Sequence, residues 1–428
     1  MLFLCYPKCS TCQKAKAWLE ERSISYDLRD IKQNNPTVEE LTAWYRKSGL
    51  PLKKFFNTSG LQYKALGLKE KLPAMSEAEQ LALLATDGML VKRPRLPRHG
   101  MGSETGMIQT IDFAPLDGIT KIVFRQVWSQ FFGGVDRYFI PFFSPTPHHL
   151  MTPRDLREVD YIHNTNLPSV PQVMTKSADD FLWACEVLKD MGYTEVNLNL
   201  GCPSGTVTAK GKGSGFLAHP NELAAFFDEV FSKNPLPVSV KTRLGYETPE
   251  EFAALLDLYN RYPIACLTVH PRVRKEKYRG PVHLDVFADA LANSRNPVCY
   301  NGDLRTVGEV RALETRFPPV THVMIGRGLV ADPALARKLR GGKGTDRKEL
   351  TDFLAALYQG YTDFYQGQVP TAAQRMREVW FYLIHLFDDA EKLNKQLRRF
   401  RTPAEYERIQ TEILASCPIR SNVQGDLI

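Results

Sequence analysis

The stretch Val196-Asn-Leu-Asn-Leu-Gly-Cys-Pro203 decides the fold. Its first five residues form a short apolar run that is typical of a buried strand, and glycine and proline follow where the run ends. Seven similar runs recur along the chain, and a stretch with helical periodicity follows each of them. The eight runs cover residues 111–116, 138–142, 170–174, 196–200, 238–242, 266–270, 298–301 and 323–326.

Eight strand-like runs that alternate with helices over about 230 residues predict an α/β chain closed into a (β/α)8 TIM barrel. A doubly wound parallel sheet with fewer strands is the alternative. Beyond residue 346 the pattern is helical only, which predicts a small bundle with helices at 350–366, 372–387, 388–400 and 403–416. We therefore predict a barrel domain over 108–345 and a helical domain over 346–420.

A separate module precedes the barrel. Residues 97–107 are rich in glycine and polar residues and lack apolar periodicity, which is typical of a linker. Residues 1–96 begin as a β-α-β unit, which predicts a thioredoxin-like α/β module. Its predicted strands cover residues 1–5, 24–28 and 89–91, and its predicted helices cover residues 10–22, 37–48 and 76–86.

The composition is that of a soluble globular protein, with 43% hydrophobic and 24% charged residues. We expect no transmembrane helix, because no apolar run is long enough, and no signal peptide, because the first residues lack a basic leader and a cleavage site. The eight cysteines do not suggest a disulfide framework. We therefore expect a cytoplasmic protein with free thiols.

The net charge of +7 is unevenly distributed: +7 over residues 1–98, −3 over 99–334 and +3 over 335–428. Basic flanks around a neutral centre suit an enzyme whose flanking modules meet a polyanion. Solvated faces without a partner are the alternative.

Polar side chains cluster where the predicted strands end. The carboxyl ends of the strands of such a barrel meet at one face, and that face carries the active site. The sequence therefore predicts a site built from Asn199, Lys241, Arg243, His270, Arg272, Asn301, Asp303 and Arg327.

Two parts of this face suggest specific chemistry. Gly302 and Gly326 lie in the turns after the last two runs, and Arg327 follows. Because glycine lets backbone N–H groups approach a phosphate and arginine adds charge, these turns predict a phosphate site, with ordinary glycine turns as the alternative. Cys202 lies just past a strand end, where its thiol can act as a general acid, since its reference pKa is about 8.5. Inert packing is the alternative for Cys202.

Six motifs in order resemble the signatures of the tRNA-dihydrouridine synthases, from about residue 108 to the end of the chain. Two departures are Leu116, where methionine is usual, and Pro271 and Val273 around Arg272, where small or hydroxyl residues are expected. The motifs are Phe113-Ala-Pro-Leu-Asp-Gly-Ile-Thr120, Asn197-Leu-Asn-Leu-Gly-Cys-Pro-Ser204, Val240-Lys-Thr-Arg-Leu-Gly245, Thr268-Val-His-Pro-Arg272, Asn301-Gly-Asp303 and Ile325-Gly-Arg327.

The resemblance implies an FMN enzyme that uses NADPH to reduce tRNA uridines to 5,6-dihydrouridine. Cys202 would then donate the proton to carbon 5 of the uracil, while the reduced flavin delivers hydride to carbon 6. Substrate contacts would come from Asn199, Arg243 and Arg272. Cofactor contacts would come from Pro115, Leu116, Asp117, Gln172, Lys241, His270, Asn301, Gly302, Asp303, Gly326 and Arg327.

Two regions are expected to meet the RNA. Residues 204–217 follow Cys202 and predict a flexible basic loop that closes as a lid, with a plain surface loop as the alternative. The C-terminal helices carry cations that suit contacts with RNA phosphates, with solvated helix faces as the alternative. The same helices carry aromatic residues, which suit a bundle core better than base stacking. The cations are Arg375, Arg377, Lys392, Lys395, Arg398, Arg399 and Arg401. The aromatic residues are Tyr358, Tyr361, Phe364, Tyr365, Trp380, Phe381 and Tyr382.

The N-terminal module carries Cys9-Ser-Thr-Cys12 between a predicted strand and helix, where a helix dipole lowers the pKa of a thiol. With Leu90-Val-Lys-Arg-Pro94, this segment resembles the arsenate reductase and Spx family, which implies a redox pair and a cis-proline at Pro94. Gln13 stands where a basic residue is usual, and the closing hairpin strand and last helix are missing. These departures favour a redox-sensing or vestigial role over arsenate reduction.

Two other functions remain open at this point. One is a small-molecule FMN oxidoreductase, similar to dihydropyrimidine or dihydroorotate dehydrogenases. The other is a redox-responsive regulator that acts through Cys9 and Cys12. The basic helical tail favours tRNA as the partner, and we expect a monomer that binds neither DNA nor membrane. We expect no metal site, because the histidines show no ligand spacing with cysteine or carboxylate residues.

Overall fold

A computed structural model describes residues 2–7, 9, 12–13, 16, 27–48, 52–58, 60–92, 108–164, 166–425 and 427. The chain divides into two compact units, Met1–Glu104 and Thr105–Ile428. The division falls within the predicted linker at 97–107, which lies outside the described residues.

The second unit is built on a closed barrel of eight parallel strands, so the predicted (β/α)8 barrel is confirmed. All eight apolar runs form strands because their inward and outward side chains are both buried, as a parallel sheet covered by helices requires. The strands are β1 (Thr110–Phe113), β2 (Arg137–Phe143), β3 (Ser169–Val173), β4 (Val196–Leu200), β5 (Val238–Arg243), β6 (Leu267–His270), β7 (Val298–Tyr300) and β8 (His322–Ile325).

The strand ladders differ in length around the barrel. Five partner pairs join β4 to β5, from Val196 opposite Val238 to Leu200 opposite Thr242. A single pair, Val323 opposite Tyr300, joins β8 to β7. Below the strand ends the barrel is filled by a packed layer, so it is a core and not a pore. That layer consists of Ala114, Phe139, Val170, Cys266, Cys299 and Met324.

Helices follow the strands and cover the barrel. Thr306 shows how one of them begins, because its hydroxyl accepts from the backbone of Glu309 while Glu309 caps Thr306 in return. The α-helices of this part are Ile122–Phe131, Pro153–Val159, Tyr161–Asn164, Ala178–Asp190, Gly205–Thr208, Pro220–Lys233, Glu251–Tyr259, Leu284–Asn293, Val307–Arg316, Arg327–Ala331 and Leu335–Leu339. Short 3-10 helices cover Gly213–Ala218 and Arg274–Glu276.

The C-terminal helices pack directly on the barrel. Phe353 meets Phe124, Phe131 and Phe132 edge to face, with ring centroids 5.1 to 6.3 Å apart. Most of the aromatic residues of these helices are buried or half-buried, as predicted, but Phe381 is exposed. The helices are Arg347–Phe364, Val369–Leu383, the 3-10 turn Ile384–Leu386, Glu391–Leu397 and Pro403–Ser416. The barrel and these helices form one compact unit.

The N-terminal unit contains two parallel strands, Leu2–Cys5 and Asp27–Asp30. Its α-helices are Val38–Ser48, Leu61–Ala65, Leu68–Lys71 and Glu77–Thr86, and its 3-10 helices are Leu52–Phe55, Leu72–Ala74 and Gly88–Leu90. Most of the predicted helix at 10–22, the start of the predicted strand at 24–28 and Pro94 lie outside the described residues.

The predicted strand at 89–91 is wrong. The segment forms the 3-10 helix Gly88–Leu90, and Val91 makes only an isolated antiparallel bridge to Phe56. Asp87 caps this turn by accepting a hydrogen bond from the backbone of Met89. Gly88 also lies so close to Ile31 that a Cβ atom would stand 1.9 Å from its carbonyl oxygen. This close approach and the cap favour a turn, although the residues are apolar.

Among the described residues, no helix has both the length and the apolar character needed to span a membrane.

Candidate active site

One pocket opens at the carboxyl ends of the barrel strands, and it collects nearly every residue predicted for the barrel site. Arg272 is the one exception, because it does not lie on the pocket wall. The predicted residues that line the pocket are Pro115, Leu116, Asp117, Gln172, Asn199, Cys202, Lys241, Arg243, His270, Asn301, Gly302, Asp303, Gly326 and Arg327.

The turn that carries Cys202 is held from three sides. The side-chain oxygen of Asn199 accepts hydrogen bonds from the backbone N–H groups of Gly201 and Cys202, both at 3.0 Å. Arg243 donates to the carbonyl of Gly201 at 2.8 Å, and the Ser214 hydroxyl donates to the carbonyl of Cys202 at 2.8 Å. These bonds fix the half-buried thiol on the pocket wall, so it does not point into packed hydrocarbon.

The thiol of Cys202 is protonated at neutral pH. Burial raises its pKa above the ordinary value, although a backbone hydrogen bond from Ser204 and the charges of Arg243 and Lys241 act in the opposite direction. A protonated thiol is the form that can donate a proton.

A chain of amides sets the orientation of Asn199. Its Nδ2 donates to Oε1 of Gln172 at 2.7 Å, Gln172 donates to Asn197 at 2.7 Å, and Asn197 donates to the Ser239 hydroxyl at 2.9 Å. Because each amide in the chain has its donor and acceptor assigned by a neighbour, Asn199 must present its oxygen to the Cys202 turn.

Lys241 is a pocket cation that has no counterion among the described residues. Among the described residues, its ammonium group makes no ion pair or hydrogen bond, although it lies on the pocket wall. Burial, with a smaller effect from the nearby Arg243 cation, lowers its pKa to about 8. The side chain is therefore mostly charged at neutral pH and is open to an anionic or polar ligand atom.

Asp303 and Arg327 form one end of the pocket wall, and Arg272 lies behind them. Asp303 accepts hydrogen bonds from Arg327 at 2.8 Å and from Arg272. Burial alone would raise the pKa of Asp303, but the hydrogen bonds and charge of Arg272, with the charge of Arg327, lower it. Two guanidinium groups around one carboxylate leave a net positive charge beside Gly302 and Gly326.

Arg272 and His270 lie together behind this end. Arg272 is buried and directs its N–H groups to Asp303, to the carbonyl of Gly280 and to the ring of His270. Burial and the surrounding cations hold the pKa of His270 well below its usual value, so the imidazole is neutral. The structure thus places Arg272 where it positions Asp303, and its predicted contact with substrate stays a prediction.

Three aromatic residues line the pocket although the sequence did not assign them to it: Phe142, Tyr278 and Tyr382. Tyr278 is 41% exposed, and the guanidinium groups of Arg243 and Arg327 lie 5.3 and 4.9 Å from its ring centre. An aromatic residue in a loop after a strand end was a signal that could have found it. Tyr382 enters the pocket from helix Val369–Leu383, and no local sequence signal indicates that.

The predicted flexible loop at 204–217 is instead largely helical. It forms Gly205–Thr208 and Gly213–Ala218, and the second of these is buried except at its last residue. Gly213 and Gly215 permit this packing, since a Cβ atom on either would clash with backbone carbonyls of Cys202 or Thr208. Lys210 remains exposed at the tip.

The predicted RNA-binding cations fall into two groups. Arg375 is paired with Glu378 and Tyr365, and Arg377 stacks over the Phe400 ring at 4.1 Å. The guanidinium groups of Arg375 and Arg377 therefore contact neighbouring side chains of the bundle. The other five are exposed: Lys392, Lys395, Arg398, Arg399 and Arg401.

The N-terminal thiols differ from the expectation in one respect. Cys12 is fully buried and burial raises its pKa to about 12, so the helix dipole does not yield an accessible thiolate there. Cys9 is partly exposed.

Comparison with known proteins agrees with this division of the chain. The family model described as dihydrouridine synthase (Dus) matches residues 112–416, and the model described as ArsC family matches residues 4–100. A protein of Staphylococcus epidermidis named "Probable tRNA-dihydrouridine synthase" is 28% identical over 72% of this chain and 95% of its own length. The uncharacterized protein YusI of Bacillus subtilis is 61% identical over 22% of this chain and 80% of its own length.

Two solved structures can be named among those similar to this chain. A putative ArsC family related protein from Bacteroides fragilis is 68% identical, with a TM-score of 0.22 over 22% of this chain and 78% of its own. Morphinone reductase is 12% identical, with a TM-score of 0.40 over 58% of this chain and 93% of its own. Because the Dus model spans most of the chain, from within β1 to the last C-terminal helix, the chain belongs to the dihydrouridine synthase family.

Proposed function

We propose that this protein is an FMN-dependent tRNA-dihydrouridine synthase that uses NADPH as the reductant and Cys202 as the proton donor. One observation carries the proposal: the protonated thiol of Cys202 and the unpaired cation of Lys241 lie on the wall of the same pocket. A reduction of the uracil 5,6 double bond needs an acid for one carbon and charge stabilisation near the hydride source.

The residues present fit FMN. Lys241 offers a cation without a counterion to the polar edge of the flavin ring. At the phosphate end of the cofactor, the small size of Gly302 and Gly326 would let backbone N–H groups approach the phosphate. The group of Arg272, Asp303 and Arg327 offers a net positive charge to it. Helix Arg327–Ala331 has only five residues, so the charge of Arg327 contributes more than the dipole of this helix.

FMN, when reduced by NADPH, supplies the hydride that adds to carbon 6 of the uracil. Cys202 donates its proton to carbon 5, which completes the saturation of the double bond and leaves a thiolate that regains a proton from solvent. Asn199 and Arg243 hold the Cys202 turn in place. The neutral ring of His270 can hydrogen-bond the uracil without adding charge.

The substrate must present its base outside the helical stack to reach this pocket. The exposed cations of helix Glu391–Leu397 and its exit can bind tRNA phosphates, which positions RNA without reading its sequence. We therefore assign specificity for the nucleotide to the pocket and affinity for tRNA to these cations.

Replacing Cys202 tests the proposal. The Cys202→Ala protein should bind FMN and oxidise NADPH within about twofold of wild type, but its formation of dihydrouridine should fall by about 10²- to 10⁴-fold, because only the general acid is lost. Mass spectrometry of tRNA after incubation with NADPH measures the product.

Cys185→Ala is the matched control, since Cys185 is a buried cysteine in helix Ala178–Asp190, away from the pocket. It should retain full activity. Unchanged dihydrouridine formation in Cys202→Ala would exclude the acid role, and a wild-type protein that retains no flavin would exclude the proposed function.

A further inference from the structure

A second cluster of reactive side chains lies at the opposite end of the barrel, away from the pocket. Cys266 directly precedes β6, Cys299 lies on β7 and His322 begins β8. All three side chains turn toward the interior, and Asp112 of β1 completes the cluster. Asp112, Cys299 and His322 each offer one ligand atom, and these three atoms lie within 4.8 Å of one another.

We propose that Cys266, Cys299 and His322 bind a divalent cation of the zinc class at the base of the barrel. Nδ1 of His322 lies 3.5 Å from Sγ of Cys266. In a tetrahedral zinc site with ordinary bond lengths, a nitrogen ligand and a sulfur ligand lie about 3.6 Å apart, which is close to this separation. Sγ of Cys299 lies within 4.8 Å of a ring nitrogen of His322, which places a second sulfur beside the ring.

The remaining contacts of His322 match those of a zinc-binding histidine. Its Nε2 lies 2.7 Å from Oδ2 of Asp112, and Asp112 is held in turn by Arg137 at 2.8 and 3.0 Å. A carboxylate that accepts from one ring N–H leaves the other ring nitrogen as the one available to a metal. Here Nδ1 is the nitrogen that faces Cys266, and a bound cation would displace the proton of Nδ1.

The charges of the cluster are compatible with a bound cation. Binding would release to solvent the protons that the ligand atoms still hold, including the proton on Nδ1 of His322, and two thiolates would neutralise the charge of the metal. The guanidinium of Arg137 forms ion pairs with Asp112 and, at 3.0 Å, with Glu195. These two carboxylates offset its positive charge beside the cluster. The side chain of His322 is 14% exposed, which gives the cluster access to solvent.

The position of the cluster indicates a structural role. Cys266, Cys299 and His322 belong to three neighbouring strands, and the ladder between β7 and β8 has a single partner pair. A metal bound there would join these strands directly below the turns that carry Gly302 and Gly326. Soft sulfur with imidazole favours zinc over magnesium or calcium.

Cobalt(II) is the probe for the test. The full-length Cys9→Ser/Cys12→Ser protein, in which the N-terminal dithiol cannot contribute, is stripped with a chelator and titrated with cobalt(II). We expect thiolate-to-cobalt absorption in the near ultraviolet that saturates at one equivalent. Adding Cys266→Ser, Cys299→Ser or His322→Gln should weaken binding at least tenfold, whereas adding Cys185→Ser should leave it unchanged.

Absence of the thiolate band, or a band that survives both Cys266→Ser and Cys299→Ser, would overturn the proposal. If those variants do not fold, X-ray absorption of the zinc-loaded Cys9→Ser/Cys12→Ser protein decides. The proposal requires sulfur neighbours at about 2.3 Å, and a shell of only oxygen and nitrogen contradicts it. Zinc should also raise the melting temperature of this protein, because it binds only the folded state.

Discussion

At the carboxyl end of the barrel, Lys241 faces the pocket with no counterion among the described residues, whereas at the amino end Asp112, Arg137 and His322 bind one another. Both groups are charged and enclosed by the same eight strands. The difference teaches that one barrel can leave a cation without a partner at its mouth, where a ligand can supply the opposite charge, while the charges at its base have partners within the protein. Breaking the paired group from one side leaves buried charge uncompensated, whereas the unpaired cation at the mouth is available to a ligand.

Removing Asp112 should give the largest effect on stability. Asp112→Ala leaves the charges of Arg137 and His322 without their shared partner, and breaking such a pair from one side costs about 3 kcal/mol or more. Urea denaturation measures the loss in the free energy of unfolding.

Asp117→Ala is the comparison at the mouth, since Asp117 is 60% exposed and, within the described part of the chain, pairs only with Lys121. An exposed pair contributes about 1 kcal/mol or less. Equal losses from the two substitutions would contradict the contrast between the two ends.

The charge of Lys241 should give a pH dependence of intermediate size. Its pKa of about 8 means that the cation is present below pH 8 and is lost as the pH rises through that value. At pH 9 about a tenth of the side chains stay charged, so the rate of flavin reduction by NADPH should fall by about tenfold. Anaerobic stopped-flow absorbance of the flavin measures this rate.

Lys241→Met is the control for that dependence. Its flavin reduction should be slow at every pH and should lack the fall above pH 8. A wild-type profile that stays flat to pH 9, or a fall that persists in Lys241→Met, would assign the effect to another group.

Deleting residues 1–98 should give the smallest effect on catalysis. Every barrel residue assigned to the pocket belongs to the second compact unit, so dihydrouridine formation should stay within about twofold of the full chain. Loss of activity in a folded truncated protein would show that the N-terminal unit takes part in the reaction.

Much of the pocket was predictable because it depends on local patterns. The run at 196–200 forms a strand with the predicted bounds, and Cys202 lies where a glycine and a proline end that strand. The polar residues at the other strand ends meet in one pocket, since parallel strands in a closed barrel must end at the same face.

Local patterns failed where a neighbour distant in sequence changes the environment. The apolar residues at 89–91 predicted a strand, but the close approach of Gly88 to Ile31 and the cap from Asp87 produce a turn. Residues 204–217 predicted a flexible loop, but Gly213 packs against Cys202 and Gly215 packs against Thr208.

The sequence by itself determined the order of strands and helices, the two-part organisation and the reactive end of the barrel. These follow from periodicity and from residues adjacent to strand ends. Only the tertiary structure decided that Arg272 turns to Asp303, that Tyr382 reaches the pocket and that Cys266, Cys299 and His322 meet at the base. Such meetings depend on barrel closure, which brings together residues that no spacing along the chain relates.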